Sequence, residues 1–139
     1  MRVLFVNHTS AISGGELSLL TLLRALPHEV EPIVACPAGP LAERVSSIGI
    51  ETHAISGTDG SLRLHPARTA RAIGQLARTA LEVGRLAGDT GADLLHANSI
   101  RAGLVVEGAR RGGSTPTIIQ IRDRIPPTPA SKAPKRPWR

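Results

Sequence analysis

Apolar and polar positions along this chain follow two rhythms. Short unbroken apolar runs, the first at residues 3–6, are separated by stretches in which leucine, alanine and isoleucine recur every three or four residues. The first run, VLFV, predicts a buried strand, and GELSLLTLLRAL at 15–26 predicts a helix with Leu17, Leu20, Leu23 and Leu26 on its inner face. EPIVACP at 31–37 predicts a second strand. GPLAERVSSIG then predicts a helix with Pro40 in its first turn and Gly49 at its end, and IETHAI at 50–55 a third strand. A glycine-rich loop at 56–61 leads into a helix from about 66 to 88, with Ile73, Ala77, Ala80 and Val83 as its apolar face. A fourth strand at 92–99, a helix at 100–111 and a fifth strand, PTIIQIRD, at 116–123 complete the pattern.

Strands separated by helices of this length pair in parallel through right-handed crossovers. The predicted fold is therefore an α/β Rossmann-like three-layer sandwich, with a five-stranded parallel sheet in the order 3-2-1-4-5.

Composition limits the picture further. A length of 139 residues, 41% of them apolar and 20% charged, suits one globular domain with a real core. The single Cys36 cannot form an internal disulfide, and no apolar run approaches the roughly 20 residues that span a membrane. Met1 and Arg2 precede only four apolar residues, so no signal peptide is expected and a reduced, cytoplasmic compartment fits.

The net charge of +6 sits unevenly. Residues 1–121 carry eleven arginines against ten acids, whereas 122–139 carry six basic residues against one acid. That tail, RDRIPPTPASKAPKRPWR, also holds five prolines and both lysines. It has no apolar face to bury, so the expected organisation is a folded domain over 1–122 and a disordered Pro-rich basic tail over 123–139.

In a sheet of this order, ligands sit outside the carboxyl ends of the strands where the order reverses, between the first and fourth strands. Asn7, His8, Thr9 and Ser10 follow the first strand, His96, Asn98 and Ser99 the fourth, and Arg122 and Asp123 the fifth. Ser13-Gly14-Gly15-Glu16 has the spacing of a capping box, which accounts for Ser13 and Glu16. It does not account for two glycines, which are most useful where backbone must approach a ligand or turn N–H groups toward an anion. Neither G-x-G-x-x-G nor G-x-x-x-x-G-K-[ST] occurs, which disfavours a nicotinamide enzyme or a phosphate-loop ATPase. Asn98 or Ser99 is expected to cap the following helix while the other faces the crevice. His53, His65 and His96 lack metal-ligand spacing, and no metal site is expected.

MRVLFVNHTSAISGGELSLLTLLRAL, LLHANSIRAGL and TIIQIRDRI together resemble the N-terminal domain of family 4 glycosyltransferases, over about residues 1–125. The resemblance implies a B-type enzyme with two Rossmann-like domains facing across a cleft. The first of these mostly holds the acceptor and the second the nucleotide-sugar, without a metal. It further implies that Gly14, Gly15 and Glu16, with Asn98, Ser99 and Arg122, contact substrates, and that Arg122, Asp123 and His96 are the candidates for catalysis. Many relatives place a histidine where this chain has Arg122, which points Arg122 toward acceptor or phosphate charge instead.

By the same resemblance the donor domain is missing from 139 residues, so the chain is expected to be inactive alone. A tail of this composition joined abruptly to the body is what a frameshift in a GC-rich gene would produce; a separately encoded donor domain is the other expectation. The alternative function is a non-catalytic glycan- or nucleotide-binding module. A nucleic-acid partner is not expected, since Phe5 and Trp138 are the only aromatic residues and give no stacking platform. Arg68, Arg71, Arg78 and Arg85 fall within an arc of about 100° on the long helix. A solvated outer face is the default use of such a stripe. An anionic membrane surface, reached from the cytoplasmic side and suited to a lipid acceptor, is the alternative.

Overall fold

A computed structural model describes residues 1–58, 66–110 and 113–121, with backbone alone at 66–69. The elements run β1 (Arg2–Val6), α1 (Gly14–Arg24), β2 (Glu31–Cys36), α2 (Pro40–Ser47), β3 (Glu51–Ala54), α3 (Pro66–Thr90), β4 (Leu94–Ala97), α4 (Ile100–Arg110) and β5 (Thr117–Ile119). The sheet has the order β3-β2-β1-β4-β5, and all four neighbouring pairs are parallel. Val3, Leu4, Phe5 and Val6 face Leu94, Leu95, His96 and Ala97 in register, which brings the carboxyl ends of β1 and β4 side by side.

Both faces of the sheet are covered, which is why its central strands are continuously apolar. Leu4, Val6, Ile33, Ala35 and Leu95 point to one side, under Val83 of α3 and Val105 and Val106 of α4. Val3, Phe5, Val34 and Cys36 point to the other, under Leu19, Leu20 and Leu23 of α1 and Leu41 and Val45 of α2. Each Val, Leu, Ile or Phe among them contributes about 1.5–3 kcal/mol by leaving water. Burial pushes the Cys36 thiol up to about 11, leaving it protonated and inert at neutral pH.

Two helix faces differ from the sequence expectation. In α1, Leu17 is 51% exposed and Leu19 is buried in its place. The buried Glu16 fixes the rotation: once it turns inward, Leu20 and Leu23 follow on the same face and Leu17, one residue on, swings outward. In α3, Ile73 is 60% exposed and Ala77 is also exposed, while Thr79, Ala80, Val83 and Ala87 are buried. Close contact with α4 sets this rotation. A Cβ at Gly108 would lie 2.9 Å from Cβ of Ala80, and one at Gly84 would lie 3.5 Å from the Ala109 carbonyl oxygen.

Beside the carboxyl end of β1, glycine is required at Gly39, the cap of α2. Its φ is 139°, and a Cβ there would lie 2.9 Å from Ser10.

Candidate functional site

Two asparagines extend the central strands at the end where a crevice is expected. Asn7 N–H donates to the Ala35 carbonyl at 2.9 Å, continuing the β1–β2 ladder, and Asn98 N–H donates to the Val6 carbonyl at 3.1 Å, continuing β4–β1. Both side chains are buried, 0% and 3% exposed, so their amides need internal partners. Asn98 Nδ2 donates to Asn7 Oδ1 at 3.0 Å and to the Gly15 carbonyl at 3.2 Å. Asn7 Nδ2 donates in turn to the Thr9 carbonyl at 2.8 Å and to Glu16 Oε1 at 3.1 Å. Asn98 Oδ1, also buried, accepts no hydrogen bond among the described residues.

Glu16 closes the network. Its Oε2 accepts from Ser13 N–H at 3.0 Å and from the Ser13 hydroxyl at 2.5 Å, the capping box that starts α1. Burial pushes the Glu16 carboxyl up, but hydrogen bonds from Ser13, Asn7 and the local backbone outweigh it and hold it below its ordinary 4.5. A carboxylate that stays ionised at a helix N-terminus stabilises that helix end.

Ser99 is the cap of α4: its Oγ accepts from Ala102 N–H at 3.1 Å and pairs with His8 Nδ1 at 3.0 Å. Of the two residues expected to divide capping from crevice contact, Ser99 therefore caps, and Asn98 braces the α1 loop. His96 lies one position before the end of β4, 9% exposed, with its ring 4.9 Å from that of Phe5 on the α1 side of the sheet. Gly14 is exposed and Gly15 half-buried, directly above the asparagine pair. Arg122, Asp123 and the tail 123–139 lie outside the described residues, as does the side chain of Arg68. Arg71, Arg78 and Arg85 are all exposed on α3.

Sequence reasoning placed Asn7 at the crevice without giving it a role. The signal available was an amide residue ending a fully apolar strand, nine positions before the capping glutamate it binds.

A family model described as the glycosyl transferase 4-like domain matches residues 16–139. The chain belongs to that family. Solved structures carry the same fold as this glycosyl transferase 4-like domain. Anabaena HepE in complex with UDP-glucose superposes with a TM-score of 0.65 at 21% identity, over 88% of this chain and 29% of that one. A glycosyltransferase from Rickettsia africae gives 0.59 at 14% identity, over 85% and 28%. The Streptomyces glycosyltransferase SsfS6, complexed with thymidine diphosphate, gives 0.56 at 21%, over 87% and 38%. The glycosyl transferase 4-like domain thus spans between 28% and 38% of the length of these three proteins. No curated protein matches the chain.

Proposed function

We propose that this domain forms the acceptor-side wall of a metal-independent glycosyltransferase, which moves a sugar from a nucleotide-sugar to an acceptor held against the crevice. The observation that carries the reading is the bare backbone at Gly14 and Gly15. A Cβ built on either meets nothing within 4 Å, and neither has a positive φ, so neither packing nor torsion among the described residues calls for glycine. Glycine nevertheless loses more backbone entropy on ordering than alanine does. What the pair leaves is backbone that a bulky ligand can touch directly, at a helix end whose dipole favours an anion. The Asn7–Glu16–Asn98 network holds that loop rigidly from below. Structures of the same fold have been solved with UDP-glucose and with thymidine diphosphate, ligands that carry such an anion.

Glu16 adds a negative charge at the same helix end, so a diphosphate needs a compensating cation. In this reading Arg122 supplies it from beyond β5, with Asp123 the carboxylate at the same strand end. His96, packed on Phe5, acts as a positioning residue. Catalysis of this kind needs preorganised groups on both sides of the sugar, so a facing donor domain completes the site and this domain alone transfers nothing. A cytoplasmic location accords with the lone, buried Cys36.

Calorimetric titration with inorganic diphosphate and with UDP tests the reading. The domain is expected to bind both weakly, around millimolar. Gly15→Val is expected to abolish binding while leaving thermal unfolding in place, because its side chain enters open space. Absence of binding, or binding indifferent to both Gly15→Val and Arg122→Ala, overturns the loop assignment. Sugar transfer by the 139-residue chain alone overturns the requirement for a second wall.

A further inference from the structure

We infer that the outward face of α3 is a docking surface for an anionic phospholipid membrane. The face is divided lengthwise. Ile73 and Leu81, 60% and 63% exposed, lie along one side with exposed Ala77 between them, at the i, i+4, i+8 spacing that stacks side chains on a helix. Arg71, Arg78 and Arg85 lie along the other side at seven-residue spacing, all exposed. From Arg71 to Arg85 the stripe runs about 21 Å along the helix axis. Both rows lie outside the buried stripe of Thr79, Ala80, Val83 and Ala87, so the rotation of α3 that sends Ile73 and Ala77 outward also builds this surface.

The charges around the face leave it basic. Glu82 is turned toward the loop after β3, where it accepts from Ser56 N–H at 2.6 Å and from the Ser56 hydroxyl at 2.8 Å. Arg78 closes a 3.2 Å ion pair on it. Arg71 and Arg85 have no acidic partner among the described residues, and Asp89 is the remaining acid on the helix, near its end. Leu81 and Arg85 also line a cavity of about 490 Å³ between α3 and α4, together with Ala80, Ala87, Leu95 and Arg110.

Cations beside exposed aliphatic side chains complement a surface with phosphate at its rim and hydrocarbon beneath. Such helices lie in the interface with their apolar residues among the acyl chains and their arginines at the headgroups. A nucleic acid would use the arginines but gain nothing from Ile73 and Leu81. Among the described residues no helix is long and apolar enough to cross a membrane, so the contact lies on the surface. This inference is independent of the crevice and of sugar transfer.

Co-sedimentation of the full chain with vesicles tests it, comparing pure phosphatidylcholine with phosphatidylcholine carrying about 30% phosphatidylglycerol. The chain is expected to partition to the anionic vesicles only. Two double variants separate the components while keeping the basic tail constant: Arg71→Gln with Arg85→Gln, and Ile73→Ser with Leu81→Ser. Each pair is exposed, so circular dichroism is expected to show the parent fold. Each pair is expected to weaken partitioning about tenfold or more. Failure of the parent to bind, equal binding to neutral vesicles, or undiminished binding by either double variant overturns the inference.

Discussion

Asn98 Nδ2 donates to Asn7 Oδ1 across 3.0 Å, tying the carboxyl end of β4 to that of β1 at the point where the strand order reverses. The same nitrogen holds the Gly15 carbonyl at 3.2 Å, so one amide fixes both strands and the glycine loop above them.

Replacing Asn98 exposes how much rests on this amide. Asn98→Ala leaves Asn7 Oδ1 and the Gly15 carbonyl without their donor and is expected to cost about 1–3 kcal/mol in urea unfolding. Asn98→Asp is expected to cost more at pH 7, because a buried carboxylate would face two oxygen acceptors, and to recover part of the loss on acidification. Equal stability of the parent and Asn98→Ala would show that the bond contributes nothing.

The Glu16 carboxyl is held below its ordinary 4.5 in the folded chain, so the folded state binds its proton less readily than the unfolded state. Its stabilisation is complete above that value and is lost as the pH falls below 4.5 through the lower folded-state value. Glu16→Gln is expected to flatten the acid limb of a stability-against-pH curve and to lower the plateau at neutral pH. Glu82, lowered in the same direction by its Ser56 and Arg78 partners, leaves a residual slope in that variant. An unchanged acid limb in Glu16→Gln would contradict the assignment.

The rotation of α1 gives a paired test. Leu19→Ala removes a fully buried side chain and is expected to cost about 2–5 kcal/mol, whereas Leu17→Ala at a half-exposed position is expected to stay within about 0.5 kcal/mol. The leucine spacing read from sequence alone predicts the opposite ranking, and denaturant midpoints decide between them.

The alternation of apolar runs with helical periods was enough to give the nine elements of the described residues and the strand order, because a sheet buried on both faces writes itself as VLFV, IVAC and LLHA segments. The carboxyl-end rule likewise put Gly15 and Asn98 at neighbouring strand ends, where the Asn98 amide reaches the Gly15 carbonyl. Helix rotation was less legible, for a physical reason. In α1 the inward residue that sets the face is the charged Glu16, buried by partners nine and three residues away. In α3 it is Thr79, whose hydroxyl donates to the Ser56 and Gln75 carbonyls, together with the close approach permitted by Gly84 and Gly108. A count of apolar spacing sees neither a satisfied polar group nor a missing Cβ. The division of labour between Asn98 and Ser99 was open in the sequence for a related reason, since both residue types cap helices and only the bond from Ala102 N–H to Ser99 Oγ separates them.

Backbone amide mapping of the isotopically labelled chain during titration with UDP tests the central claim most directly. The account predicts that shifts concentrate at Gly14, Gly15, Asn98 and Ser99, the residues gathered at the β1 and β4 ends, and that the same titration of Gly15→Val leaves them still. Shifts confined to the opposite end of the sheet, around Gly84, Gly88 and Gly108, with the glycine loop unmoved, would contradict it.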